Sequence, residues 1–68
     1  MFTKDSVGAK VITKSGVIGT IIAFDENDTE GMPLRVQFPM FTLWYSLTGI
    51  DEDDDEYSIN YYTKTQTR

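Results

Sequence analysis

The sequence contains neither cysteine nor histidine. Disulfides and thiolate metal ligands are therefore excluded, as are imidazole ligands and any histidine that would titrate near neutral pH. Catalysis by a cysteine nucleophile or a histidine base is excluded for the same reason. We expect a non-enzymatic protein with no catalytic residue, no metal site and no cofactor.

Long hydrophobic runs are also missing. The longest apolar stretches, such as residues 21–24, are far shorter than a membrane span, and the N-terminus lacks the pattern of a signal peptide. These features predict a cytoplasmic protein without a membrane partner.

Basic residues are few: six Lys and Arg stand against eleven Asp and Glu, and the net charge is -5. Binding to nucleic acids and to anionic membranes depends on Lys and Arg. The net charge therefore disfavours nucleic acid as a partner.

Short apolar stretches separated by turn residues make up most of the chain, and no long window has helical periodicity. A chain of 68 residues supports only one core. Five strands are predicted, at residues 9–14, 17–24, 34–38, 41–47 and 57–62. We expect an all-β single domain, a small five-stranded barrel, in which residues 1–7 add an edge strand or stay loose and residues 63–68 are loose.

The first predicted hairpin carries a family resemblance. Residues 8–24 resemble the opening hairpin of KOW-type SH3-like barrels, with Gly19, Ile21 and Phe24 matching its Gly-x-Val-x-x-Ile element. Ile21 and Phe24 can both point inward only where a bulge shifts the register between them, and Gly19 would allow the strand to bend.

A later segment looks like small phage-encoded barrels of uncharacterised function. Residues 34–38 and 45–49 are similar to a Val-x-Phe … Tyr-Thr/Ser-x-Asp-Gly pattern, with Thr48 where aspartate is common. The resemblance implies an SH3-like fold and a viral origin, hence the host cytoplasm, and it supplies no catalytic residues.

Two acidic segments stand out. Residues 51–56 are six consecutive acids, which predict a solvated loop, and Asp25, Glu26, Asp28 and Glu30 form a second cluster. Neither segment fits the calcium-loop template. Both loops could lie at one end of the barrel and present a negative face to a basic partner. The candidate partner-binding acids are Asp51, Asp53, Asp54 and Asp55.

Several large apolar residues are out of phase with the predicted core. Trp44 and Tyr62 point outward on the fourth and fifth strands, and Ile12, Ile18 and Ile22 have the wrong parity on the first two. They predict a second apolar face for a protein partner or for a homo-oligomer, unless bulges and twist return some of them to the core.

Two lysines suggest a weaker alternative site. Lys10 and Lys14 have the same parity on the first strand, and with an outward aromatic they could contact a nucleotide.

The sequence therefore favours a binding module, and the resemblance implies a phage accessory protein that engages or inhibits a host factor as a homo-oligomer. Three alternatives stay open. The barrel face could bind nucleic acid or a nucleotide, the assembly could sequester a signalling nucleotide, and the acidic loops could mimic DNA.

Overall fold

The computed structural model describes residues 1–62 and shows five antiparallel strands curled into a half-barrel. The strands are β1 (Lys10–Thr13), β2 (Ile18–Phe24), β3 (Leu34–Gln37), β4 (Thr42–Tyr45) and β5 (Ile59–Tyr61). Two single 3-10 turns, at Lys4–Ser6 and Asp55–Tyr57, are the only helical elements in this part of the chain. The prediction of an all-β, five-stranded single domain is confirmed. The predicted loose tail, residues 63–68, lies outside the described residues.

The sheet has the order β4-β3-β2-β1-β5, so β4 and β5 are its edges. The first four strands form a meander, and β5 returns to pair with β1 through Val11 opposite Tyr61 and Thr13 opposite Ile59. The β5 edge is partly covered, because the Ile59 N–H donates to the Gly49 carbonyl at 2.8 Å. The segment that follows β4 therefore hydrogen-bonds to the free edge of β5.

A β-bulge lies in β2, where the register with β3 shifts between Ile21 and Ala23. Ile21 pairs with Val36 before the bulge, and Phe24 pairs with Leu34 after it. Ile21 is fully buried and Phe24 packs against the core. The bulge predicted from the spacing of these two residues is therefore confirmed.

One face of the sheet forms the core. The buried apolar residues alternate along the strands with exposed ones, as period-two patterning requires. They are Phe2, Val11, Ile21, Leu34, Val36, Phe38, Tyr45 and Ile59.

At two positions a core aromatic ring packs so close to the backbone that only glycine fits. A Cβ on Gly19 would lie 2.7 Å from the Phe38 ring, so this glycine allows β2 to pass directly over an aromatic side chain. Gly49 has φ of 74° and would place a Cβ 2.6 Å from the Phe2 ring. Both positions exclude a side chain because a core aromatic occupies its space.

Residues 1–7 are ordered, and the prediction that they form a loose terminus or an edge strand is wrong. Phe2 is buried, and its N–H donates to the Leu47 carbonyl at 2.8 Å. Its ring packs against that of Tyr61 at a tilt of 45°, with ring centroids 4.6 Å apart. Thr3 and Ser6 cap the first 3-10 turn reciprocally, and the Ser6 hydroxyl bonds to that of Tyr61. A single apolar anchor and a capping box thus hold a segment that has no strand pattern.

Candidate functional site

Trp44 lies on the outer face of the edge strand β4 and is 40% exposed. Arg35 is its partner on β3, and the guanidinium carbon stands 4.4 Å from the centre of the indole ring. This cation–π contact fixes the orientation of the ring. The outward position predicted for Trp44 is thus observed, and the indole remains accessible.

The two acidic segments come together beside Trp44. A groove of about 380 Å³ is lined by one segment from each loop, with Trp44 and Ser46 between them. We call this groove the acidic groove. Its lining residues are Glu30, Gly31, Met32, Trp44, Ser46, Ile50, Asp51, Glu52 and Asp53. Of the first acidic cluster, only Glu30 lines this groove, beside Asp51, Glu52 and Asp53 of the second.

The acidic groove also has an apolar component. Met32 is 43% exposed and Ile50 is 54% exposed, and both line the groove together with Trp44. Exposed apolar groups beside carboxylates form a surface that can hold an aliphatic chain with a cationic head. Met32 and Ile50 were not among the residues predicted from the sequence. A large apolar residue inside or beside an acidic loop is a signal that could have identified them.

The first acidic loop is held in shape by its own carboxylates. The Asp28 carboxylate accepts the N–H groups of Glu30 and Met32, at 3.1 and 2.7 Å. Asp25 accepts from the Asn27 N–H at 3.0 Å. These bonds place Glu30 and Met32 against the groove.

The second acidic segment was predicted as a solvated loop, but it contains a 3-10 turn. Asp54 caps the turn Asp55–Tyr57 by accepting the Glu56 N–H, and Asp51 accepts the N–H groups of Asp53 and Asp54, both at 3.0 Å. Aspartate forms such local bonds readily, and this property overrides the repulsion within the run. The segment is exposed, as predicted, and it is also structured.

Lys14 anchors the far end of this segment. Its ammonium donates to Asp55 at 2.6 Å, and Ser58 donates to the other carboxylate oxygen at 3.1 Å. The hydrogen bonds from Lys14 and Ser58 hold the pKa of Asp55 below its ordinary value. Asp55 is therefore engaged with Lys14 and does not line the acidic groove.

The two candidate nucleotide-contacting lysines are not brought together. Lys10 donates to the Thr20 hydroxyl at 2.6 Å on the outer face, whereas Lys14 lies beyond the end of β1 and turns to Asp55. They line different surface hollows. Strand β1 ends at Thr13, so the alternation of faces does not extend to Lys14. The common parity of the two lysines therefore does not place them in one pocket.

Of the other predicted outward residues, Ile18, Ile22 and Tyr62 are also about two-fifths exposed, whereas Ile12 is half-buried. Neither the bulge nor the twist buries them. They do not line the acidic groove. Tyr62 follows β5, at the opposite edge of the sheet from Trp44. On the outer face, a polar row separates the Ile12–Ile18 pair from Ile22; it consists of Lys10, Thr20 and Gln37. The outward residues therefore form separate apolar patches.

A second groove, of about 350 Å³, lies on the inner side of β4. Phe41, Leu43 and Tyr57 form its apolar part, and Asp51, Asp53 and Asp54 line the rest. Phe41 has the same parity as Leu43 and the buried Tyr45. Phe41 nevertheless stays 38% exposed beside Phe38 and Tyr57, because the half-barrel is open next to β4.

No family model, curated protein or solved structure matches the chain. The resemblance to KOW-type and phage-encoded barrels therefore stays a prediction. Among residues 1–62, no group of three carboxylates is arranged to hold a metal ion, and no helix is long and apolar enough to cross a membrane.

Proposed function

We propose that this protein is a non-enzymatic binding module that captures a basic segment of a partner protein in the acidic groove. The observation that carries the proposal is the position of Trp44. The indole lies with Met32 and Ile50 in a groove that is also lined by Glu30 of one loop and by Asp51, Glu52 and Asp53 of another.

Lysine and arginine side chains match this groove chemically. Their aliphatic stems can pack on Trp44, Met32 and Ile50 while the cationic heads reach Glu30, Asp51, Glu52 and Asp53. The net charge of -5 adds a long-range attraction that accelerates association with a basic surface.

Nucleic acids and nucleotides match it less well. Their phosphates would meet the carboxylates of the groove, and Lys14 is already engaged by Asp55. Imitation of DNA would use the same carboxylates for a basic enzyme surface. It would not require the apolar part of the groove, and this difference separates the two hypotheses experimentally.

The fluorescence of Trp44 provides the test, because it is the sole tryptophan of the chain. We expect a short lysine-rich peptide to change the emission saturably, and an equally long glutamate-rich peptide to leave it unchanged. Raising the ionic strength from about 0.01 M to about 0.15 M should weaken the binding, since these charges are exposed.

Two matched double variants test the location of the site. Glu52→Gln/Asp53→Asn removes two groove charges whose side chains support no neighbouring backbone group, and we expect about tenfold weaker binding. Asp5→Asn/Glu26→Gln removes the same charge outside the groove and should have little effect. Equal losses in both variants would contradict a specific site.

Trp44→Ala, measured by calorimetry, separates the proposal from DNA imitation. We expect a loss of roughly thirtyfold, as for a central aromatic contact. A variant that binds the peptide as tightly as the parent protein would instead favour purely electrostatic imitation.

A further inference from the structure

The edge strand β4 has unpaired backbone groups next to the acidic groove. Phe38 donates its N–H to the Phe41 carbonyl at 2.7 Å, which sets the alternation of bonded pairs in the β3–β4 ladder. Thr42 and Trp44 fall at the non-bonded positions of this ladder, so their N–H and C=O groups point away from β3. Within residues 1–62, these outward groups have no hydrogen-bond partner.

Two grooves flank this edge, one on each face of the sheet. The acidic groove lies on the side of Trp44, and the second groove lies on the side of Phe41 and Leu43. Asp51 and Asp53 line both grooves. The acidic segment therefore stands opposite the open edge, with a groove above and a groove below the plane of an added strand.

We infer that β4 takes up the basic partner segment as an added β-strand, paired to the backbone of Thr42 and Trp44. This inference rests on the proposed function and specifies how the ligand binds. Side chains of an extended segment alternate between the two faces, so successive residues would enter the two grooves in turn. The backbone bonds supply affinity, and the Asp51–Asp53 wall selects cationic side chains.

The charge of the edge identifies the occupant as a basic segment of another protein. A second copy of this chain pairing through its own β4 would bring Asp51, Asp53 and Asp54 of both copies close together. Like charges placed in this way disfavour association. A partner segment with Lys or Arg at alternate positions places positive charges on one face of the added strand, and these attract the carboxylates. Its other face can present apolar side chains.

The first measurement compares two forms of one peptide that alternates lysine and valine. In one form the central backbone nitrogens are methylated, which blocks strand pairing and keeps every side chain. We expect the unmethylated peptide to change Trp44 emission and the methylated peptide to bind at least tenfold more weakly, because at least two hydrogen bonds are lost.

The second measurement changes the protein. Thr42→Pro removes an N–H that the ladder does not use, so the β3–β4 pairing can persist. Thr42→Val alters the same side chain and keeps the N–H, which makes it the matched control. We expect binding about fivefold weaker for the proline variant and near parental for the valine variant. Circular dichroism checks that both variants fold.

The outcomes are distinct. Equal binding of the two peptides, with no effect of Thr42→Pro, would overturn the added strand and leave the proposed function standing. Failure of both peptides to bind would overturn the proposed function and the added strand together. A dimer of the protein alone that Thr42→Pro dissociates would assign the edge to a second copy and overturn the inference.

Discussion

Tyr45 is the largest side chain that the described fold buries completely. Its hydroxyl donates to the Tyr57 carbonyl at 2.6 Å and so joins β4 to the end of the acidic segment. Burial raises the pKa of Tyr45 above its ordinary value, and the charge of Asp51 adds to this effect. The residue therefore connects the core to the C-terminal end of the second acidic segment.

The first prediction at this scale concerns Tyr45→Phe. Loss of the hydrogen bond should lower the free energy of unfolding by about 1–2 kcal/mol, because the Tyr57 carbonyl loses its partner. Urea denaturation at neutral pH measures this change. Tyr62→Phe, at an exposed position, is the control and should be near neutral.

The same variant should change the alkaline behaviour. The pKa of Tyr45 is higher in the folded state than in the unfolded state, where it is about 10. The protonated phenol therefore stabilises the fold fully below about pH 10, and this stabilisation is lost as the pH rises above that value. Tyr45→Phe should remove this part of the alkaline loss of stability. Parallel stability–pH curves for the two proteins above about pH 10 would contradict the assignment.

A second titration prediction concerns Asp55. Lys14→Met removes the main group that lowers the pKa of Asp55, so this pKa should rise toward its ordinary value in a carboxyl NMR titration. In the parent protein, the stabilisation by the pair is present above the unfolded-state pKa of about 4 and is lost as pH falls below it. An unchanged Asp55 pKa in the variant would contradict the contact.

At the scale of elements, the passage of β2 over Phe38 depends on Gly19. Gly19→Ala places a methyl group 2.7 Å from the ring, and we expect a loss of about 1–3 kcal/mol in the free energy of unfolding. Phe38→Leu removes the aromatic ring. In a double-mutant cycle, the alanine should therefore cost less beside Leu than beside Phe, and additive losses would contradict the clash.

Local sequence patterns predicted the strands and the bulge, because they depend on parity and turn residues within a few positions. The spacing of Ile21 and Phe24 was sufficient to require the bulge at Ile22. The role of Gly19 was only partly predicted, since the steric reason lies in Phe38, a residue of a different segment. Contacts between distant segments carry no local pattern.

The candidate site was predicted in part for the same reason. Trp44 and the candidate acids were identified from parity and charge, and the structure places Trp44, Asp51 and Asp53 at one groove, whereas Asp54 and Asp55 do not line it. Met32, Ile50 and Phe41 join the two grooves only because the loops fold back against β4. The anchoring of Phe2 was missed because a single buried aromatic outside a strand has no periodicity.

At the scale of the whole molecule, self-association stays a prediction, and the outer face provides its test. Ile12 pairs with Ile18 across β1 and β2, and Ile22 lies beyond the polar row. We expect Ile18→Lys to weaken any association seen by analytical ultracentrifugation and to leave peptide affinity unchanged. A loss of peptide affinity in this variant would place the binding site at the Ile12–Ile18 pair and contradict the groove.

The most direct test of the central claim is to map the binding surface on the labelled protein by amide NMR during titration with a lysine-rich peptide. We expect shifts concentrated at residues 30–32, 42–46 and 50–54, which border the acidic groove and the β4 edge. Shifts concentrated on β1 and β5, around Ile12 and Tyr62, or no shifts at saturating peptide, would contradict it.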